Sequence, residues 1–362
     1  MRSIFRPGLY FVLLLLISLA GCGKDTSRDP VSTLPDSLGF DEAVLVQLQQ
    51  DAESGALGSV SSILIQREGT AVFEWYAPGW GVDVRHSCYS VTKSVLSLLV
   101  GIARDRDWNV DLDDLVTGLL PDYASLLEND SAKRGITLRH LLAMRAGFDW
   151  PELSIPYSNQ SNPLNGLIVS DNWVEHALSQ PMAAQPGVLF CYNSGISTVV
   201  SAIFQEEMGI RADQFASQAL FAPLGIEEWS WSLTPTGLTC GGWGLSLRPR
   251  DMAKIGNLVL GDGVYADQRI ISAEWLDLSF HPETHFTNGQ EYGLHWWLEP
   301  VTEFSGVEPV PAALGYGGQA IYAIRELDLV VVITAEEYNS YIYPPPVILH
   351  NYVLPAIVDR TD

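Results

Sequence analysis

The most distinctive pattern in the chain is an apolar run without alternation. Residues 94–103 read Ser-Val-Leu-Ser-Leu-Leu-Val-Gly-Ile-Ala, apolar or small on every side of a helical wheel, which predicts a helix buried all round. Upstream, residues 59–66 and 70–76 are alternating or β-rich and are separated by Arg67-Glu-Gly69, so they predict a β-hairpin. Helical spacing recurs over 41–52, 171–178 and 194–208. A compact helix is expected over 137–144, stopped by Gly147, and an amphipathic one over 250–260, capped near Arg248-Pro-Arg-Asp251. Residues 111–121 read as an acidic connection and 159–166 as a loop. Near the end, 292–298 reads as an aromatic strand. Residues 320–325 and 329–334 read as strands joined by a Glu326-Leu-Asp328 turn, and 347–358 as a closing helix. Strands first, helices next and strands last predict an antiparallel sheet built from both ends of the chain and flanked by helices. A helical region, at about 110–235, is inserted between, with the buried helix at the seam.

The chemistry worth noting stands at the mouth of that helix. Ser90 and Lys93 are three residues apart in His86-Ser-Cys-Tyr-Ser-Val-Thr-Lys, which on a helix puts amine and hydroxyl on one face. A lysine in apolar surroundings is pushed toward its neutral form. A serine in the first turn meets the positive end of the helix dipole, and a hydroxyl becomes a nucleophile once a neighbour takes its proton. One Ser-x-x-Lys match can arise by chance. Lysine, however, occurs only at Lys24, Lys93, Lys133 and Lys254, and the one in the most apolar company is the one with the serine.

Composition then sets the address and removes some partners. Arg2 and Arg6 precede an apolar run from Leu9 to Ala20 that ends in Leu19-Ala20-Gly21-Cys22. That order predicts a signal peptide over 1–21, too short to be a comfortable membrane span. It resembles a lipobox, with Cys22 lipidated and residues 22–38 acting as a polar tether. The expected localisation is the bacterial cell envelope, by lipid anchor, with the catalytic domain over 39–362. A net charge of −23 with no basic run makes nucleic acid an unsuitable partner. Cys88, Cys191 and Cys240 remain besides Cys22; no pairing follows from them. His281 and His285, four apart beside Glu283, superficially suggest metal ligands, but they sit in a Pro-containing stretch with no third ligand evident, so neither metal nor cofactor is expected.

Several stretches together resemble the serine β-lactamase/penicillin-binding-protein superfamily, in particular the branch holding class C β-lactamases, esterases and 6-aminohexanoate-dimer hydrolase. They are Ser90-Val-Thr-Lys93, Ile136-Thr-Leu-Arg-His-Leu-Leu-Ala-Met-Arg-Ala-Gly147, Pro186-Gly-Val-Leu-Phe-Cys-Tyr-Asn-Ser-Gly195, Leu220-Phe-Ala-Pro-Leu-Gly-Ile226, Gly242-Trp-Gly-Leu-Ser-Leu-Arg-Pro-Arg-Asp-Met-Ala253 and Gly315-Tyr-Gly-Gly-Gln319. The resemblance implies a β-lactamase/transpeptidase-like fold, α/β plus all-α. It also implies acylation of Ser90, with Lys93 taking or sharing its proton. Tyr192 would relay protons through a phenolate-like oxygen, which gives Lys93 two alternative roles, neutral base or cation beside a phenolate. The backbone N–H groups of Ser90 and Gln319 would form the oxyanion hole, with Gly318, Tyr316, Ser194 and Asn193 around the substrate.

Two departures from the family pattern bear on substrate. The second motif has Ser194 where asparagine is usual, with Asn193 one place earlier, and the third has Tyr316-Gly317-Gly318 where a lysine or histidine begins it. That cation normally grips a substrate carboxylate, a contact of roughly 1.5–3 kcal/mol. Small esters or amides are therefore expected ahead of β-lactams or stem peptides, unless Arg145 or Arg248 replaces the missing charge. A catalytically idle envelope-binding module is the non-enzymatic alternative. Trp243, Trp296 and Trp297 are candidates for an acyl pocket or for core. His295 reads as structural, and Glu152 as a solvated loop acid near the site.

Overall fold

The computed structural model describes residues 38–358 apart from 107, 306 and 339–342; the expected signal peptide, Cys22 and the tether up to residue 37 lie outside them. Eight strands form one sheet: β1 (Val60–Arg67), β2 (Thr70–Tyr76), β3 (Thr284–His285), β4 (Glu291–Tyr292), β5 (Trp297–Glu299), β6 (Val310–Gly315), β7 (Gln319–Ile324) and β8 (Leu329–Ala335). Their spatial order is β2-β1-β8-β7-β6-β5-β4-β3, every neighbour antiparallel. The N-terminal hairpin closes onto the last strand, from Val60 opposite Ala335 to Arg67 opposite Leu329, so the sheet is indeed made by both ends of the chain.

Every residue of β8 is buried. Val330 and Val332 point into one core, Leu329, Val331 and Ile333 into the other. Both faces are covered, which is why this strand reads as a continuous apolar run. The second core is closed by α1 (Glu42–Ser54), capped by the Asp41 carboxylate accepting from the Ala43 N–H at 2.9 Å and ended by Gly55 in the left-handed region. The first core holds α2 (Val91–Arg104), buried at every position from 91 to 103. Around it stand α3 (Leu138–Leu142), α4 (Pro163–Val169), α5 (Trp173–Ser179), α6 (Ser194–Met208) and α7 (Pro249–Leu260). Helix α2 packs on both β6 and β7, which puts its first turn against the sheet at the edge of the helical region.

Three expectations change, and one strand has no counterpart among them. Residues 292–298 are not one strand: His295 takes φ 62° and the Gly293 N–H bonds the Trp296 carbonyl at 2.9 Å, so the chain turns there and forms the β4–β5 hairpin. Within 159–166 a helix begins at Pro163, its Asn162 cap accepting from the Leu164 N–H at 3.0 Å. Proline suits a first helical turn, so the Asn-Pro pair marks a start and not a loop. Strand β6 is hidden by its proline and small residues, Val-Pro-Ala-Ala-Leu-Gly. The closing helix starts earlier, at Pro344, and widens into a π-turn over Leu349–Val353.

Candidate active site

Ser90 is the residue immediately before α2. The segment leading to it is clamped from two sides. The Cys88 N–H donates to the Leu245 carbonyl at 2.8 Å, and Gly315 at the end of β6 lies so close to the Cys88 carbonyl oxygen that a Cβ there would collide with it. Between them Tyr89 takes φ 45°, a left-handed conformation costing about 1–2 kcal/mol in a residue with a side chain. Edge contacts of its ring with Tyr316 and Tyr338, both at 5.7 Å, accompany it.

Lys93, only 1% exposed, has three partners: Ser90 Oγ at 3.0 Å, Ser194 Oγ at 3.0 Å and the Gly242 carbonyl oxygen at 2.7 Å. Gly242 can come this near because Gly241 has no side chain to strike the Ser197 carbonyl on α6. Burial lowers the amine's pKa to about 8, against the opposing pull of Glu152 and of Cys240. Counting donors assigns its lone pair. A carbonyl oxygen only accepts, and the Ser194 hydroxyl gives its own proton to Glu152 Oε1 at 2.6 Å. A neutral amine therefore spends both N–H groups on Gly242 and Ser194, and its electron pair faces Ser90.

Tyr192 lies against this pair, its ring stacked on Trp297 at 5.9 Å and its phenol in hydrogen-bond contact with Ser90. Burial first, and then the charge of Glu152, raise its pKa well above the ordinary phenol value, outweighing the lowering by Ser90. The Lys93 nitrogen sits over the ring face, 4.8 Å from its centroid. Burial thus keeps the phenol protonated, which counts against a phenolate, while the amine sheds its proton as pH rises past about 8.

The remaining expected residues fall into place unevenly. Ser194 bonds Lys93. Asn193 is a correction: its Oδ1 accepts from the Gly195 and Ile196 N–H groups at 2.8 and 3.1 Å, so the side chain caps α6 and is turned away from the substrate space. The Gln319 side-chain amide donates to the Ala335 carbonyl at 2.5 Å and the Tyr316 carbonyl at 3.3 Å, while its Oε1 is buried without a partner. Gly318, at φ 94°, makes the turn into β7. Tyr316 donates to the Tyr338 carbonyl at 2.6 Å. Trp243 tilts against Trp173 at 4.9 Å, whereas Trp296 is core.

Glu152 is the second correction. It is 1% exposed and accepts from Trp150 Nε1 and the Ser194 N–H, both at 2.7 Å, from the Ser194 hydroxyl at 2.6 Å and from the Tyr157 hydroxyl at 3.0 Å. Its partner stands 42 residues away, beyond the reach of any local spacing rule; Tyr157 carried no signal at all. The two arginines proposed as substitute cations are both engaged. Arg145 donates to the Glu283 and Gly187 carbonyls, and Arg248 pairs with Asp251 at 2.6 Å. His285 pairs with Glu291 at 2.5 Å and Glu283 with Arg139 at 3.0 Å. Cys88, Cys191 and Cys240 are free, and burial pushes Cys88 up to about 12 and Cys240 up to about 11.

A cavity of about 220 Å³ opens onto this group, lined by Tyr89, Ser90, Glu152, Tyr157, Leu164, Asn165, Ile168, Ser194, Gly242, Trp243 and Tyr316. No lysine or arginine is among them.

His295 is fully buried, with Nε2 3.3 Å from Ser197 Oγ. Burial, with Lys93 nearby, lowers its pKa to about 3, against about 6.5 when unfolded. The unfolded chain therefore binds this proton first. Stability is complete above about pH 6.5 and falls as pH drops from there toward 3. His295→Asn, which tolerates the positive φ, should flatten that acid limb in denaturant titrations between pH 4 and 7.

A buried lysine meeting a serine at the head of a helix, on an antiparallel sheet, is the arrangement of a serine hydrolase. Residues 47–340 match the family model described as Beta-lactamase, and the chain belongs to that family. It is 24% identical over 263 residues to the 6-aminohexanoate-dimer hydrolase of Paenarthrobacter ureafaciens, covering 69% of this chain and 64% of that protein; the match spans slightly under two thirds of that relative's length. Solved structures share the fold. One is a candidate 6-aminohexanoate-dimer hydrolase from Bacillus anthracis (TM-score 0.73, 18% identity, 85% of this chain and 81% of that one). Another is EstCE1, a hydrolase with promiscuous acyltransferase activity (0.70, 17%, 88% and 99%). A third is a family VIII carboxylesterase (0.68, 15%, 86% and 96%).

Proposed function

We propose that this chain hydrolyses small uncharged esters or amides through an acyl-enzyme on Ser90, with Lys93 as general base and Tyr192 as proton relay. The observation that carries the reading is the 3.0 Å contact between Lys93 Nζ and Ser90 Oγ at a lysine whose other two partners can only accept. Ser90 Oγ forms a bond to the carbonyl carbon while its proton passes to Lys93. The tetrahedral oxyanion is received by the N–H groups of Ser90 and Gln319. On collapse the bond to the leaving group breaks, Tyr192 gives that group its proton, and the Lys93 ammonium restores the phenol. Water then repeats the sequence on the acyl-enzyme.

Among the described residues no lysine or arginine lines the cavity, Tyr316 stands where the family places a cation, Arg145 is spent on two backbone carbonyls and Arg248 is paired with Asp251, which supports uncharged substrates over carboxylate-bearing β-lactams. Attachment to the cell envelope through Cys22 is part of the proposal and is supported by the Leu19-Ala20-Gly21-Cys22 stretch.

The test is a panel of p-nitrophenyl esters, anilides, nitrocefin and a fluorescent penicillin. Turnover of esters or anilides is expected, with kcat/KM rising with pH through about 8, since the base must be deprotonated. Stable labelling by penicillin without ester turnover would favour a penicillin-recognising enzyme instead. Inertness toward the whole panel and toward a fluorophosphonate would favour the idle binding module.

A further inference from the structure

We propose that Glu152 is a positioning residue for the nucleophile: it takes the Ser194 proton, so that Ser194 can only accept from Lys93 and the amine's electron pair is turned toward Ser90. This inference rests on the Ser90–Lys93 reading above and adds a third group to it.

The carboxylate is fixed on all sides. Oε2 receives two N–H donors, Trp150 Nε1 and the Ser194 backbone, both at 2.7 Å, and neither donor can reverse its role. Oε1 receives the Ser194 and Tyr157 hydroxyls at 2.6 and 3.0 Å. The residue's own carbonyl is held by Asn162 Nδ2 at 2.9 Å. Taking a carboxylate out of water costs several kcal/mol, and four donors are what a carboxylate needs to offset it. A glutamine would suit the site less well. Its amide would have to face either two N–H groups or two hydroxyls, and in the second case Ser194 would turn and donate to Lys93. Two donors, Ser90 and Ser194, would then compete for one lone pair.

A purely structural role is the rival explanation, because the Ser194 N–H lies at the first turn of α6, where a carboxylate is stabilising. The two roles part at the pH dependence. The titratable groups facing Lys93 are Glu152, Tyr192, Cys240 and His295. Burial keeps Tyr192 and Cys240 protonated and His295 unprotonated across pH 6–9. Glu152 is therefore the neighbour whose charge acts on the amine in that range, and its attraction opposes the lowering by burial.

The deciding experiment is the second-order rate of fluorophosphonate labelling at Ser90, from pH 6 to 10, in wild type, Glu152→Gln, Ser194→Ala and the double variant. Wild type should show a limb near pH 8. Glu152→Gln should move that limb to lower pH and reduce the plateau by about 10–100-fold, the scale of a misaligned reacting group. Ser194→Ala, which keeps the charge but cuts the link, should lower the plateau too, and the double variant should be no slower than the worse single one. A Glu152→Gln limb and plateau coinciding with wild type would overturn the inference. Should that variant not fold, a wild-type plateau in Ser194→Ala would do so. A wild type that is never labelled at Ser90 overturns the underlying hydrolase reading, a separate outcome from the variant results.

Discussion

Ser90→Ala should reduce ester kcat/KM by about 10⁴–10⁶-fold, the scale seen when a serine nucleophile is removed from a preorganised site. Intact mass should show no acyl or phosphonyl adduct on the variant. The expected loss is this large because the other groups at the site all act through that oxygen: Lys93 meets it at 3.0 Å and the Tyr192 phenol bonds it. The fold should be indifferent, since Ser90 caps no backbone N–H with its side chain. A thermal melt of Ser90→Ala within a degree or two of wild type, together with lost turnover, isolates the chemical role. Retained turnover would mean that another side chain is the nucleophile.

Lys93→Met should cost about 10²–10⁴-fold in the acylation rate, the usual contribution of a general base, and should abolish the limb near pH 8. Its effect on stability has the opposite sign. The folded-state pKa of about 8 lies below the ordinary lysine value near 10.5, so below pH 8 folding carries the full cost of burying the ammonium, and that cost is relieved as pH rises from 8 to 10.5. At pH 7 an apolar replacement of similar length removes it. The unfolding midpoint of Lys93→Met should therefore be equal to or higher than wild type, a trade of stability for function of the kind expected at active sites. A sharply lower midpoint, with the activity loss following unfolding, would contradict this.

The parts of the fold and site that were legible in the sequence are those written at short range. The buried helix, the first hairpin and the β7–β8 pair follow from runs and alternation within a dozen residues. The Ser90–Lys93 contact follows from a single helical turn. Tyr192 needed the family resemblance, because its neighbour Ser90 lies about a hundred positions away in the chain. What could not be read was carried by tertiary contacts alone. Gly242 reaches Lys93 across 149 residues, and Glu152 reaches Ser194 across 42, so a buried acid in a Pro-containing loop looked solvated. Asn193 was misassigned for a different reason: asparagine before a helix is a good cap, and here that local demand on its side chain prevailed over the motif. The β4–β5 turn was missed because His295 occupies a left-handed position that glycine or asparagine ordinarily marks.

With Lys24, Lys93, Lys133 and Lys254 the only lysines in the chain, the protonation of the base can be read by NMR titration of ¹³Cε-labelled lysine, with Lys93→Met to identify its resonance. Lys93 should titrate near pH 8, coincident with the activity limb. Titration at the ordinary lysine value, in protein that still turns over substrate, would leave an ammonium without a free electron pair beside Ser90 and would contradict a neutral-amine base.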